Sequence, residues 1–545
     1  MADNTLEAGR GAAAVLDEAH VGDIHGALGS ISEHDVERRH TWRARLLTLA
    51  AIIGPGIIVM VGDNDAGGVA TYSQAGQNYG TTLLWTFLLL IPVLIVNQEM
   101  VVRLGAVTGV GHARLIKERF GRFWGMFSVG DLLLLDFLTI VTEFIGVDLA
   151  LSYFGVSRYV SVPLAAVALF AITASGSFRR WERFMLVFVV ANFLVVPLAV
   201  FSHPHAEPVF RDLFVPGIRG GVNSTSVLLI IAIVGTTVAP WQLFFQQSNI
   251  IDKRITPRWI NYERADTVIG SFVTVTGAVA IAVTCAFAFE HTRYFGGFTD
   301  AAGVARGLSH LLGHGAGVLY AIVLLNASII GAAAVTLGTS YAVGDFFGAH
   351  HSLHRNLFEA PGFYASFGGL IALAGAIVLI PRAPLGIITI AVQALAGVLL
   401  PSASVFLLLL CNDKAVLGPW VNRPWLNALA VAIIGVLIVL SLILVTTTMF
   451  PSVDVIALLV VLGSLLVGAL AVGGLVFALR PAGATDITRE ARRHRDTWRM
   501  PPLAFLDRPE WSRGRLAAMW SLRIYLVVAV AMLLVKAVQL GAGAH

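Results

Sequence analysis

Apolar stretches long enough to cross a lipid bilayer recur along the chain, separated by short polar loops. A helix needs about 20 mostly apolar residues to span the hydrocarbon core. Only 13% of the 545 residues are charged, whereas a soluble globular domain carries roughly 25%. Transmembrane β-barrels show short alternating strands instead, and this sequence has no such alternation. The chain is therefore predicted to be an all-α polytopic membrane protein.

Twelve spans are predicted, and a further apolar stretch lies near the C-terminus. Because Arg523 and Lys536 bracket that stretch, it is either a thirteenth span or a helix lying in the membrane interface. The predicted spans cover residues 46–78, 81–104, 124–152, 159–175, 181–202, 226–251, 266–290, 315–345, 363–381, 384–411, 426–447 and 453–478, and the further stretch covers 517–540.

The basic residues predict the orientation of the chain. Every loop rich in Lys and Arg follows an even-numbered span, whereas loop 153–158 has a single Arg and loop 448–452 has none. Because cytoplasmic loops carry such an excess, the N-terminus is predicted to be cytoplasmic, in a bacterial inner membrane. The same distribution accounts for the pI of 9.2 without nucleic acid as a partner. The basic loops are 105–123, 176–183, 252–264 and 412–425, followed by the tail 480–516.

Two of the predicted spans are interrupted at membrane depth. In the first, residues 54–56 read GPG and residues 62–68 read GDNDAGG, which combines poor helix formers with two acids. In the sixth, residues 235–242 read GTTVAPWQ. Pro240 cannot donate a helical hydrogen bond, and it disfavours the helical conformation of the residue before it. Interrupted helices five spans apart are typical of an inverted repeat with a substrate site between them.

These observations predict the domain organisation. Residues 1–45 carry many charges and no apolar signal segment, and are expected to form a disordered cytoplasmic tail. The later regions are a core at 46–411 with repeats at about 46–202 and 226–411, additional spans at 412–478, a basic cytoplasmic linker at 479–516 and a C-terminal membrane or interfacial helix at 517–545.

Asp65 is the principal candidate ligand for a cation. An unwound helix frees carbonyl oxygens, which bind cations, and a carboxylate in hydrocarbon must be protonated, paired or bound to a cation. The alternatives for Asp65 are a salt bridge to a neighbouring span or a helix cap. Asp63 offers the same chemistry, with a cap or a vestibule position as its alternative.

Other polar residues lie at or near the same depth. Thr236 offers a carbonyl or a hydroxyl, while Gln242 and Gln393 offer amide oxygens, although polar residues in spans are also common helix-packing contacts. Glu143 is an acid in the third span that serves an ion pathway or pairs with a basic residue at a helix end. Trp241 occupies a place where a polar ligand is expected, and its alternative is membrane packing.

The donor set favours a hard cation. Neither break contains Cys, Met or His. Soft transition metals favour sulfur and imidazole, whereas carboxylate, carbonyl and water suit magnesium, calcium and manganese. The sequence also contains no Walker A motif, no HExxH pair and no dinucleotide fingerprint. Neither enzymatic activity nor a resident cofactor is expected.

The motifs together resemble the NRAMP family of divalent-metal transporters. The resemblance covers about residues 45–450 and is specific in combination, although each motif alone is weak. It rests on GPG at 54–56, DAGG at 65–68, Gly76 with LLW at 83–85, RLGAVTG at 103–109, FRRWER at 178–183, CNDK at 411–414 and GPWVN at 418–422. The resemblance implies a leucine-transporter-like fold of five plus five helices, with helices one and six broken.

The chain departs from the family pattern in both broken helices. The family motif Asp-Pro-Gly-Asn of helix one keeps its aspartate as Asp65, but Gly68 replaces the asparagine ligand. In helix six, Thr236 takes the position of the family's carbonyl ligand and Ala239 that of its methionine. Trp241 takes the position of the histidine and Gln242 that of the asparagine.

A further departure lies in the third helix, where the family carries two acids implicated in proton movement. Ile140 and Glu143 occupy these positions, so one of the two acids is absent. Together the departures resemble a divergent branch, the NRAMP-related magnesium transporters. The absent thioether removes a preference for soft metals, and small Gly68 and Ala239 leave room for the waters that magnesium retains.

The resemblance implies that the chain moves a divalent metal ion, Mg²⁺ and also Mn²⁺, across the bilayer as a monomer and without proton coupling. Three alternatives remain open. The first is a proton-coupled symporter for manganese or iron, and the second is an amino-acid transporter of the same fold, in which Asp65 would repel the substrate carboxylate. The third is a membrane sensor without transport activity.

Overall fold

The computed structural model describes residues 18–381, 385–450, 452–478 and 495–506, together with isolated positions between 516 and 531. Apart from one two-stranded hairpin, the regular structure of these residues is helical. The strands are β1 (Ile24–Gly26) and β2 (Gly29–Ile31), which pair in antiparallel register with Ile24 opposite Ile31.

Twenty α-helices follow the hairpin in the described residues. They are α1 (Trp42–Ile52), α2 (Pro55–Gly62), α3 (Ala66–Tyr79), α4 (Leu84–Thr108), α5 (His112–Phe120), α6 (Arg122–Tyr153), α7 (Arg158–Thr173), α8 (Phe178–Ala191), α9 (Val195–Phe201), α10 (Ala206–Phe214), α11 (Ser224–Thr237), α12 (Pro240–Asp252), α13 (Ile260–Phe289), α14 (Ala301–Leu312), α15 (His314–Phe347), α16 (Pro361–Val378), α17 (Leu385–Cys411), α18 (Lys414–Leu417), α19 (Pro424–Met449) and α20 (Val455–Ala478).

The membrane-spanning character of the helices agrees with the prediction. Within the described residues, nine helices or continuous helix pairs are long and apolar enough to cross a bilayer, and the bent pair α1 and α2 makes up to a tenth. Helices α6, with 32 residues, and α7, with 16, take the positions of the third and fourth predicted spans. The predicted C-terminal helix at 517–545 lies almost entirely outside the described residues, as does most of the linker at 479–516.

Both predicted interruptions are present. In the first span, α2 ends at Gly62 and α3 begins at Ala66, and a second break at Ile53–Gly54 bends α1 from α2 by 54°. In the sixth span, α11 ends at Thr237 and α12 begins at Pro240. The helices therefore break at the glycine, proline and acidic residues that were predicted from the sequence to interrupt them.

The two broken spans pack against each other in the centre of the protein. Helix α3 contacts α11, and α2 contacts α12. Helix α17 crosses α11 so closely that a Cβ atom on Gly235 would overlap the backbone of Gln393 and Gly397. Only glycine permits this approach of two helix backbones. The first and sixth spans are thus held together with the tenth, as expected for a fold of five plus five helices.

Several basic loops meet at one end of the bundle, which we call the inner end. Arg119 Nη2 lies 2.6 Å from Asp413 Oδ2 and joins the loops after the second and tenth spans. Arg103 donates to the Trp420 carbonyl and to Asn422 Oδ1, both at 2.6 Å. These contacts tie together two of the sequence motifs that indicated the family.

The described part of the N-terminal tail is folded, which corrects the prediction of disorder for residues 18–40. Strands β1 and β2 pack on α1, and β1 also contacts α8. Ile24 and Ile31 are buried, and the Ala27 backbone N–H donates to Glu182, 155 residues away. Contacts with distant parts of the chain stabilise this segment. Residues 1–17 of the predicted tail lie outside the described residues.

Candidate metal-binding site

Asp65 lies at the break of the first span and caps the helix that follows it. Its Oδ1 accepts a hydrogen bond from Gly68 N at 2.6 Å and one from Thr236 Oγ1 at 3.4 Å. The carboxylate is buried, and the positive end of the α3 dipole stabilises its negative charge. The capping alternative for Asp65 is therefore present, and it uses Oδ1.

Glu143 lies beside Asp65. Its Oε2 accepts from Ala66 N at 3.1 Å, so both carboxylates cap the same helix end. Gly331 of α15 packs on the two acids, since a Cβ there would lie 2.5 Å from Glu143 Oε2 and 2.9 Å from Asp65 Cβ. Within the described residues neither acid forms an ion pair with Lys, Arg or His. The predicted basic partner of Glu143 is thus not found among them.

Asp63 is the third buried acid of the region. It is fully buried, and neither carboxylate oxygen accepts a hydrogen bond. Its backbone N–H donates to Met60 O at 3.1 Å in the last turn of α2, so the residue flanks the end of that helix. The side chain does not act as a helix cap. A buried carboxylate without hydrogen-bond donors is costly, because its desolvation is uncompensated until it binds a proton or a cation.

The break of the sixth span presents backbone oxygen. In a continuous helix the Thr236 carbonyl would accept from residue 240, but Pro240 has no N–H. The Thr236 hydroxyl contacts Asp65, so this part of the sixth span borders the carboxylate of the first. Ala239 precedes α12 and is buried. Gly68 faces the same region, where an added Cβ would lie 2.7 Å from Asp63 O and 3.2 Å from Thr236 Oγ1.

Gln242 is held by two hydrogen bonds. Its Oε1 accepts from Gln98 Nε2 at 2.9 Å, and its Nε2 donates to Thr237 O at 3.1 Å. The amide oxygen would therefore bind a metal ion only in addition to, or in place of, Gln98. Gln98 was not among the predicted site residues. A polar side chain in an apolar span was the only feature of the sequence that indicated it.

Gln393 and Trp241 border the site on other sides. Gln393 packs against Gly67 so closely that a Cβ there would overlap its amide, and its buried Nε2 has no hydrogen-bond partner. Trp241 packs on Gly62, where a Cβ would lie 3.2 Å from the indole, and its ring centroid is 5.9 Å from that of Phe245. These contacts agree with the packing alternative for Trp241.

Asp136 is a further buried acid on α6 that the sequence reasoning missed. It lies seven residues, or about two helical turns, before Glu143, which places both on one face of the helix. Its Oδ2 accepts from Thr339 Oγ1 at 2.7 Å, and its Oδ1 has no partner. Its spacing from Glu143 could have identified it.

The side chains alone do not complete a coordination shell. Among the described residues, no group of three or more His, Cys, Asp and Glu side chains is arranged to hold a metal ion. An ion at Asp65 would therefore complete its shell with carbonyl, amide or hydroxyl oxygens and with water. Such a shell suits a hard cation that keeps part of its hydration.

Comparisons with known proteins agree with this architecture. The Nramp family model, described as natural resistance-associated macrophage protein-like, matches residues 56–447. The divalent metal cation transporter MntH of Pectobacterium carotovorum is 27% identical over 337 residues, covering 59% of this chain and 79% of that protein. The protein of the same name from Bacillus subtilis is 28% identical over 305 residues, covering 53% and 69%.

A solved structure shares the fold. A mutant of the manganese transporter of Eremococcus coleocola superposes with a TM-score of 0.61 at 19% sequence identity, covering 83% of this chain and 97% of that one. Broken first and sixth helices, the buried acids between them and the family match over residues 56–447 lead to one assignment. The chain is a multi-pass membrane protein that belongs to the Nramp family.

Proposed function

We propose that this protein transports divalent metal cations, Mg²⁺ and also Mn²⁺, across the membrane by alternating access and without proton coupling. The inner end carries the basic loops, and the positive-inside rule supports a cytoplasmic location for it and for the N-terminus, in a bacterial inner membrane. The substrate would enter from outside and leave at the inner end. A monomer suffices, because one chain supplies both broken helices.

One observation carries the proposal. Asp65, a buried carboxylate without a cationic partner among the described residues, lies where the two broken spans meet, beside the Thr236 hydroxyl and a backbone freed by Pro240. Such a site attracts a cation and repels the carboxylate of an amino acid. The relatives named as divalent metal cation transporters support a metal ion as that cation.

The preference for magnesium rests on the missing soft ligand. Ala239 occupies the position of the family's methionine and precedes α12, so this position offers no sulfur to manganese, iron or cadmium. Magnesium dehydrates reluctantly and usually keeps several waters, which the incomplete shell of protein ligands accommodates.

The absence of proton coupling rests on Trp241 and Ile140. Trp241 takes the family's histidine position and has no titratable group, and it packs against Gly62. Ile140 takes the place of one helix-three acid and is buried. A membrane potential of 100 mV already gives a divalent cation about 4.6 kcal/mol inward. This energy corresponds to an accumulation of more than about a thousandfold.

A proton-coupled manganese or iron symporter is the second candidate, and Glu143 favours it. This acid is fully buried beside Asp65 and caps the same helix end, which is a suitable position for a proton carrier. The two candidates differ in whether protons accompany the metal ion.

Reconstitution into liposomes distinguishes the candidates. Vesicles containing a pH indicator receive Mg²⁺, Mn²⁺ or Cd²⁺ at a fixed membrane potential, and metal uptake and internal pH are recorded together. We expect uptake of Mg²⁺ and Mn²⁺, little uptake of Cd²⁺, and no acidification. Acidification that follows metal uptake and disappears in Glu143→Gln would establish symport instead. No uptake of any metal by folded protein would favour a sensor.

A further inference from the structure

The N-terminal hairpin segment, residues 18–40, covers the inner end beside the first broken span. Ala27 N donates to Glu182 Oε2 at 2.5 Å, and Ala27 O accepts from Arg183 Nε at 3.1 Å. Gly26 approaches α1 so closely that a Cβ there would overlap the Ala51 carbonyl. On the other side, Arg254 Nε donates to Ala19 O at 3.0 Å. The segment thus bridges α1, α8 and the end of α12.

A fully buried ion pair lies directly beneath the hairpin. Lys253 Nζ is 2.6 Å from Glu182 Oε1, and both side chains are 0% exposed. The same Nζ donates to Ile52 O at 2.6 Å and to Ile53 O at 3.0 Å, the carbonyls at the junction of α1 and α2. One ammonium and one carboxylate therefore connect the hairpin, the first span, α8 and α12.

Helix α2 is fixed at the same junction by a second carboxylate. Asp266 of α13 accepts from Gly54 N at 2.9 Å, Gly56 N at 2.8 Å and Ile57 N at 3.1 Å. These contacts hold the N-terminal end of the half-helix against α13. Opening of the inner end by movement of α1 and α2 would have to break the contacts with both Lys253 and Asp266.

A polar stripe leads from the candidate site to this junction. Gln242, Gln246, Asn249 and Lys253 follow one another at intervals of four, three and four residues, so they share one face of α12 or its end and span about 16 Å. Gln246 Oε1 and both amide atoms of Asn249 are buried without hydrogen-bond partners. Polar atoms left unpaired in this way are expected to contact water once the pathway opens.

We infer that the hairpin segment is a built-in inhibitory plug. It closes the inner end of a cation pathway along the α12 stripe, and the Lys253–Glu182 pair is its latch. Release of the hairpin frees Glu182, weakens the hold of Lys253 on the α1–α2 junction and lets α1 and α2 move away from α12. The inference rests on the proposed cation transport, and it adds a regulated exit to it.

A cysteine-accessibility experiment tests the plug independently of transport. In a Cys285→Ser, Cys411→Ser background, Asn249→Cys provides a single thiol on the stripe. Inside-out vesicles are treated with a membrane-impermeant maleimide, and labelling rates are compared between the full chain and a chain lacking residues 1–40. We expect labelling at least tenfold faster without the plug.

A milder variant tests the same contact should the truncated chain unfold. Ala27→Pro removes the N–H that donates to Glu182 but leaves the buried Lys253 pair complete, whereas Leu28→Ala changes an exposed neighbour at the hairpin tip. Ala27→Pro should accelerate labelling of the thiol at position 249, and Leu28→Ala should leave it unchanged. Size-exclusion and thermal-unfolding profiles identify the folded variants.

Mg²⁺ uptake by the same proteins separates the two proposals. Equal labelling, within twofold, of the folded full-length, truncated and Ala27→Pro proteins overturns the plug and leaves the transport proposal intact. Faster labelling with no metal uptake by any variant supports a plug and refutes transport. Faster labelling together with a severalfold rise in the initial uptake rate supports both.

Discussion

Asp65→Asn should separate the metal-binding role of this side chain from its role as a helix cap. An asparagine oxygen can still accept the hydrogen bonds from Gly68 N and Thr236 Oγ1 that Asp65 Oδ1 accepts. Asn and Asp are about equally good at this capping position, so the fold should lose less than about 1 kcal/mol. The substitution instead removes one full negative charge from the centre of the site.

The loss of metal affinity should be much larger than the loss of stability. Removing one partner of a buried charge pair costs about 3–5 kcal/mol, which corresponds to about two to three and a half orders of magnitude in the dissociation constant. No group of three acidic, His or Cys ligands among the described residues is arranged to compensate. The effect should therefore lie within this range.

Two measurements on detergent-purified protein test this prediction. Isothermal titration with Mg²⁺ gives the affinity, and thermal unfolding without metal gives the stability. Asp136→Asn is the matched control, because this acid is also fully buried but bonds to Thr339 rather than facing the break. A folded Asp65→Asn protein that binds Mg²⁺ within fivefold of the wild type would refute the assignment of Asp65 as a ligand.

Three further predictions concern other groups. Ala239→Met should raise the affinity for Cd²⁺ relative to Mg²⁺ about tenfold, whereas Ala239→Leu should not, as a competition uptake assay can measure. Asp266→Asn should weaken three backbone hydrogen bonds and lower the unfolding free energy by about 1–2 kcal/mol, measurable by denaturant titration. Burial disfavours the charged form of His351, but the Asp345 carboxylate, 3.1 Å away, outweighs this effect and raises its pKa to about 9. Its stabilising contribution is therefore complete below about pH 6.5 and is lost as the pH rises through 9, so the melting temperature should fall less between pH 7 and 10 in His351→Gln than in the wild type.

One substitution suggested by the family motif is not expected to be informative. Gly68→Asn would restore the family's asparagine, but a Cβ at this position would lie 2.7 Å from the Asp63 carbonyl. Backbone would have to shift to accept it. The glycine is therefore required by the close packing of this break.

The helices and their breaks were predictable from the sequence because their causes are local. Apolar stretches of about 20 residues predict spans, and Pro240 disrupts a helix whatever surrounds it. The fold of the hairpin segment was not predictable in this way. Its strands have three residues each, and its stability depends on Glu182 and Arg254, which follow more than 150 residues later.

Some residues of the site were predictable from the sequence, but the contacts between them were not. Asp65 was identified because an acid in hydrocarbon is rare and costly. A glutamine in a span gives no comparable signal, since packing and ligand roles look alike in sequence. Only the three-dimensional structure reveals that Gln98 occupies the amide oxygen of Gln242, or that Glu143 lies against Asp65 across Gly331.

The two interruptions differ in whether their missing helical hydrogen bonds can form. Pro240 has no N–H in any conformation, so the sixth span cannot form the helical hydrogen bond from residue 240 to the Thr236 carbonyl. In the first span, Asp63 and Asn64 keep their N–H groups and donate them to Met60 O and Val61 O, both at 3.1 Å. This junction can lengthen or shorten a helix by exchanging hydrogen-bond partners. Conformational adaptability is therefore concentrated on one side of the pseudo-symmetric pair, and backbone amides at 63–65 should exchange with deuterium faster than those of α11.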